Sequence, residues 1–314
     1  RFDLMGLLDT DLMERIRAAL DERFGRGEKL MFGEPWAAGP TARKRGVQLA
    51  DKKALAELDP EIGAFCDGVR DAVKGPVMYR EKPGFVNGGS GFEKRILHSI
   101  TAWCGQARNF RAAAPSQTIT YLSSHDDMTL WDKLVVTMDP QQNFDDPAPQ
   151  VMRASRLAAA IYMTCQGRLF LLSGEEFGRT KQGEDNTHKA PIELNRLDWE
   201  RAWQNRELVE YYQGLIALRK QLPALCDKSE QAGRRLLHSE VPAARCVTAL
   251  LENGGRWSKI LLAYNASSRA MELELEEGEW ELLADERSSS WWQEHPAVQN
   301  VQVQPMAAMI LGKR

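Results

Sequence analysis

This chain offers no staple, no membrane anchor and no positively charged face. Its five cysteines stand at 66, 104, 165, 226 and 246, with no CxxC or CxH spacing among them. An odd, scattered set reads as free thiols, not as a disulfide frame or a zinc site. Free thiols lean toward a reducing, cytoplasmic setting. Secretion stays open, because position 1 is an arginine and a chain that opens mid-element says nothing about its leader. No apolar run reaches the ~18 residues of a membrane-spanning helix. The net charge of −3 supplies no basic surface for nucleic acid or for an anionic membrane. Internal repeats and low-complexity tracts are also missing.

The 314 residues, 43% hydrophobic and 27% charged, form an ordinary globular composition long enough for two domains. A chain of this size buries roughly 75% of its unfolded surface, so its core needs no cross-link.

The first two thirds alternate apolar strands with amphipathic helices. RFDL (1–4) reads as a strand, followed by a helix capped at Thr10 or Asp11 with Leu12, Ile16, Ala19 and Leu20 on its apolar face. KLMFGEPW (29–36), TITYLSSHDD (118–127) and RLFLLS (168–173) read as further strands, the last apolar enough to be buried on both faces. Helices are expected over 154–167 and 208–222. This order implies parallel βαβ units. After about residue 226 the style changes to short alternating strands: CVTALL, SKILLAYN, MELELE, EWELLAD and VQVQP. The expectation is an α/β part over 1–225 and an all-β antiparallel sandwich over 226–314.

Parallel barrels place their chemistry at the C-terminal ends of strands. Three strands, read as successive, carry polar residues there: Arg1 and Asp3 on one strand face, then Glu34, then His125, Asp126 and Asp127. Glycoside hydrolysis needs one carboxylate as nucleophile and one carboxylic acid to protonate the leaving oxygen. Arg1 would keep Asp3 ionised, and the apolar flank of Phe32, Pro35 and Trp36 would favour a protonated Glu34. Trp36, Trp131 and Phe177 offer flat faces for sugar rings.

Read singly, these features have blander meanings: an ion pair for Arg1–Asp3, a turn for Gly-Glu-Pro and a helix cap for His125–Asp127. Asn87 to Gly91 reads as a mobile loop, lacking the Gly-Lys-Ser/Thr ending of a phosphate loop. Glu272, Glu274, Glu276, Glu277 and Glu279 read as a solvated strand face. Trp291-Trp292 reads as sandwich core or as a sugar platform. His98, His238 and His295 suggest no site, and His188 is at most a subsite residue.

In combination, RFDLMG, GEPW and YLSSHDD resemble the second, third and fourth signature regions of the α-amylase superfamily, glycoside hydrolase family 13. GFVNG (84–88), HDDMTLWDKL (125–134) and GEEFGRTKQGEDNTH with NRLDW (174–199) resemble type I pullulanases and related α-1,6-debranching enzymes. The resemblance implies the C-terminal half of a (β/α)8 TIM barrel followed by the sandwich. It further implies a retaining hydrolase of α-1,6 branch linkages in pullulan, amylopectin or limit dextrins. Asp3 would be the nucleophile, Glu34 the acid/base and Asp126 the residue that holds the ring hydroxyls, with Arg1 and His125 in support. Asn186 falls where such enzymes carry Asn-Ser-Tyr; here the segment is Asn-Thr-His. Asp127 stands where the family carries asparagine. Some members bind calcium, though no compact Asp/Asn cluster commits this chain to it.

The family's Asp-x-x-x-Asn-His region and the first three barrel strands have no counterpart here. The reading therefore expects an upstream half-barrel, on the same parent chain or on a second polypeptide. The alternatives are a non-catalytic fragment or carbohydrate-binding piece and, among enzymes, isoamylase-like or amylopullulanase-like specificity.

Overall fold

The computed structural model describes residues 1–104, 110–293, 298 and 301–314; His295 lies outside them. The first part runs α1 (Thr10–Phe24), β1 (Met31–Gly33), β2 (Ile62–Phe65), α2 (Asp67–Lys74), α3 (Glu93–Ile100), β3 (Thr118–Thr120), α4 (Leu130–Met138), α5 (Pro149–Met163) and β4 (Arg168–Leu169). Four helices follow: α6 (Ile192–Asn195), α7 (Trp199–Gln204), α8 (Arg206–Lys220) and α9 (Pro223–Cys226). The remaining strands are β5 (Leu236–Glu240), β6 (Cys246–Glu252), β7 (Lys259–Asn265), β8 (Met271–Leu273), β9 (Trp280–Ala284), β10 (Val301–Val303) and β11 (Ala307–Lys313).

Strands β1-β2-β3-β4 form a parallel sheet in chain order. Phe2 extends it by an isolated parallel bridge to Gly33. This is part of a (β/α)8 barrel, and the antiparallel sheets β5-β6-β7-β11-β9 and β10-β8 follow it. One apolar core runs through both, joining Leu157 and Ile161 of α5 to Val247, Ile260 and Leu262 of the antiparallel strands.

Four sequence expectations are corrected. The strand β2 was not foreseen, because Ile-Gly-Ala-Phe is too short to show alternation and contains a glycine. It lies between β1 and β3, so the three polar strand ends are not successive. RFDL contributes a single bridging residue: Leu4 already turns at φ 46° into a 3-10 turn at Met5–Leu7. RLFLLS is half-buried, not enclosed on both faces, because β4 is an edge strand with no outer neighbour among the described residues.

The fourth concerns α1. Its cap is Asp9, which accepts the Leu12 N–H at 2.7 Å. The fully buried positions are Met13 and Arg17, with Ile16 and Leu20 only partly covered. The Arg17 guanidinium donates to Lys29 O (2.7 Å) and Asp21 (2.6 Å), which lets its aliphatic stem go inside.

Glycine at 75 is required. It ends α2 at φ 96°, and a Cβ there would sit 2.2 Å from the Lys82 carbonyl oxygen. Gly75→Ala is expected to cost about 3 kcal/mol through backbone strain and overpacking, read as a lowered urea midpoint at unchanged m-value.

Candidate active site

Alternate side chains of the parallel strands meet on one side of the sheet. Phe65, Ile119 and Tyr121 are buried there, with Phe32, Trp36 and Phe170 packed against them. Phe65 stands edge-on to Phe32, Tyr121 and Phe170 at 5.6, 4.9 and 5.2 Å. Above this aromatic floor lies Arg1, its guanidinium carbon 5.8 Å from the Phe65 ring centre.

Arg1 joins the two carboxylates. Nη1 donates to Asp3 and Nη2 to Glu34. Glu34 is buried, and its Oε2 accepts the Leu4 N–H at 2.8 Å. Its oxygens therefore meet donors, where the sequence suggested an apolar wall. Asp3 is open, 72% exposed at the side chain. One ligand atom from each of Asp3, Glu34 and His125 lies within 4.8 Å of the others. Such a trio could hold a cation, but the guanidinium between the carboxylates already supplies positive charge and disfavours a second one. Asp126 projects beside His125, with 3.4 Å between Oδ1 and Nε2, and both are exposed. The structure thus brings Arg1, Asp3, Glu34 and His125 together, with Asp126 at the rim.

Asp127 is not a cap, since Thr129 accepts the Asp132 N–H and starts α4. It takes the left-handed conformation at φ 65° and turns to Arg70, 3.4 Å away. Burial pushes its carboxyl up, against the pull of Arg70 and Lys74. Arg70 also donates to the Tyr121 hydroxyl (3.0 Å) and to Asp71 (2.8 Å).

Two expected sugar faces are corrected. Trp131 is 4% exposed and Phe177 1%, so neither presents a ring to solvent. Trp131 Nε1–H donates to Phe144 O at 2.9 Å, and Arg201 covers the ring at 4.9 Å. Both aromatics hold the loop after β4 in place. In the Gly-rich stretch Gly88, Ser90 and Gly91 are exposed, but Asn87 is buried, accepting Gly84 N–H (2.7 Å) and donating to Lys74 O (3.1 Å) and Thr137 Oγ1 (2.7 Å). It is an internal brace. Trp36 remains half-exposed and Asn186 exposed. Asn186 Oδ1 meets His188 Nδ1 at 2.6 Å.

Several supporting residues escaped the sequence reading. Lys181, itself buried, donates to the His125 carbonyl (3.3 Å) and to Thr187 Oγ1 (2.7 Å), which ties the Asn186 segment to the His125–Asp127 loop. Lys74, 1% exposed, donates to the Met128 carbonyl at 2.7 Å. A signal for it existed: Arg70 and Lys74 stand at i, i+4 in a helix whose other buried residues are Gly68, Val69, Ala72 and Val73.

Lys74 faces Glu175, buried behind the same loop. Burial, then Arg70, pushes the Lys74 ammonium down to about 7. Burial pushes the Glu175 carboxyl up to about 7, against the opposing charge of Lys74. The folded carboxyl therefore keeps its proton to higher pH than the unfolded one, whose value is 4.5. Its contribution to stability is full below about 4.5 and is lost as pH rises through about 7. The melting temperature of the wild type minus that of Glu175→Gln should fall by a few °C between those limits.

No family model matches the chain, but relatives do. It is 34% identical over 280 residues to the pullulanase of Bacillus subtilis strain 168, covering 88% of this chain and 38% of that protein. Against the glycogen debranching enzyme of Serratia proteamaculans strain 568 it is 30% identical over 327 residues, covering 90% and 45%. Among solved structures, the pullulanase from Bacillus acidopullulyticus superposes with a TM-score of 0.88 at 31% identity, covering all of this chain and 37% of that one. The chain spans less than half the length of each. The proteins it is similar to are pullulanases and glycogen debranching enzymes, each of which it matches in part.

Proposed function

We propose that this chain carries the catalytic carboxylates of a retaining glycoside hydrolase acting on α-1,6 branch linkages in pullulan, amylopectin or limit dextrins. The observation that carries the reading is Arg1 held between Asp3 and Glu34, with His125 within 4.8 Å of both. An oxygen of Asp3 within 4.8 Å of one of Glu34 is the close approach that a retaining pair needs.

In this reading Asp3, open to solvent, attacks the anomeric carbon and forms a glycosyl–enzyme bond. Glu34 gives its proton to the bridging oxygen, then takes one from the water that releases the sugar. Asp126 and His125 hold the ring hydroxyls as the ring flattens, and Arg1 keeps Asp3 aimed. Product analysis tests the substrate: maltotriose is expected from pullulan, and attack on amylose alone contradicts the α-1,6 assignment.

A second observation qualifies the first. Among the described residues the parallel sheet has four strands, with β4 lacking an outer neighbour and β1 met only by the Phe2 bridge, and exposed parallel edges invite a partner. We infer that the active form includes a further half-barrel, from the same parent chain or from another polypeptide, which supplies the missing wall of the cleft. Activity on pullulan by the chain alone would contradict this.

A further inference from the structure

We propose that the antiparallel part carries a second, non-catalytic carbohydrate site: a cleft built on Trp292 that takes a stretch of α-glucan. The choice of α-glucan over other neutral sugars rests on the function proposed above; the sugar-binding character rests on the cleft itself.

The cleft has a volume of about 290 Å³ and is lined by Trp291, Trp292, Arg256, Glu281, Leu282, Gln293 and Arg314. None of these belongs to the Asp3–Glu34–His125 cluster. Three tryptophans lead from the core to its surface. Trp257 is fully buried, Trp291 stands edge-on to it at 5.8 Å, and Trp292 stands edge-on to Trp291 at 5.9 Å. The last ring of this ladder is 56% exposed. The segment behind it is anchored on α8, where Ser289 Oγ donates to Tyr211 O (2.7 Å) and Tyr211 Oη donates to Asp285 O (2.9 Å). An exposed indole fixed in this way presents a rigid apolar face at low entropic cost.

The polar groups beside it are planar and held. Arg256 lies 4.9 Å from the Trp257 ring centre and 5.8 Å from that of Trp291. Glu281 accepts the Trp257 indole N–H at 2.7 Å and pairs with Arg314. Arg256 stands 3.8 Å from the same carboxylate. Glu281 thus holds both arginines and fixes their guanidinium planes as hydrogen-bond donors beside the indole. A sugar offers what the cleft matches: a C–H face for an aromatic ring and adjacent hydroxyls for planar donors and acceptors. Convergent polar groups beside an apolar wall mark a small-ligand site.

The test is calorimetric titration of the full chain with maltohexaose and with cellohexaose, in an Asp126→Ala background that weakens the catalytic centre. Maltohexaose should bind more tightly than cellohexaose. Trp292→Ala should weaken maltohexaose about tenfold, as truncation of an aromatic anchor does, while Trp292→Phe keeps most of the affinity. An unchanged affinity in Trp292→Ala, with an unchanged circular dichroism spectrum, overturns the site. Equal affinity for cellohexaose overturns the α-glucan assignment. Trp292-dependent binding of maltohexaose by a chain with Asp126 intact that still fails to cleave pullulan once its barrel is completed would support this site and refute the hydrolase reading.

Discussion

Replacing Glu34 by glutamine is expected to lower kcat on pullulan by about 10²–10⁴-fold in the enzyme with a complete barrel, the usual worth of a positioned general acid. Glutamine has nearly the same shape, and its amide oxygen can still accept the Leu4 N–H that Glu34 holds at 2.8 Å, while the Arg1 bond to the other oxygen is lost. The Arg1–Asp3 contact is untouched. Fold and substrate affinity should therefore survive, so the loss falls on kcat and leaves KM nearly constant. What is lost is the proton for the bridging oxygen. A substrate with an activated leaving group does not need that proton and should still form the glycosyl–enzyme at close to the wild-type rate. Equal losses on activated and natural substrates would mean that Glu34 is structural.

Lys74→Met is expected to destabilise the fold by about 1–3 kcal/mol, the cost of leaving a buried acceptor without its donor, and by more above about pH 7, where Glu175 gives up its proton. Lys74 is 1% exposed and serves three neighbours. It supplies positive charge to Asp127 and Glu175, and its ammonium holds the Met128 carbonyl at 2.7 Å. Methionine fills the space but leaves that carbonyl without its donor. Because Met128 follows His125–Asp127 directly, the catalytic loop should shift as well, and a displacement of about 1 Å can cost 10²-fold in rate. The double variant Lys74→Met/Glu175→Gln should be more stable than the single one, since the carboxylate is gone too. A double-mutant cycle in urea reads this coupling, and strict additivity would show that the two groups do not interact.

Much of the candidate site was legible in the sequence because its residues sit at strand ends, where type and order carry the chemistry. Arg1, Asp3, Glu34 and His125 converge as expected. The antiparallel strands were legible from their alternation, apart from β5 and β11. What remained hidden depends on contacts between segments far apart in sequence. Trp131 and Phe177 have the composition of sugar platforms, but Arg201 covers one ring and Trp199 packs 6.0 Å from the other. Glu34 has apolar sequence neighbours, yet its oxygens are turned toward Arg1 and the Leu4 N–H. Asp127 would cap a helix if Thr129 did not, and its partner Arg70 lies 57 residues earlier in the chain. Periodicity cannot show which side chain closes over which.

The central claim is that Asp3 and Glu34 work as a nucleophile and acid/base pair on an α-1,6 linkage. The most direct measurement is proton NMR of pullulan hydrolysis in its first minutes, watching the anomeric signal of the newly released reducing end. A retaining pair predicts that the α-anomer appears first and mutarotates afterwards; initial release of the β-anomer would contradict the account.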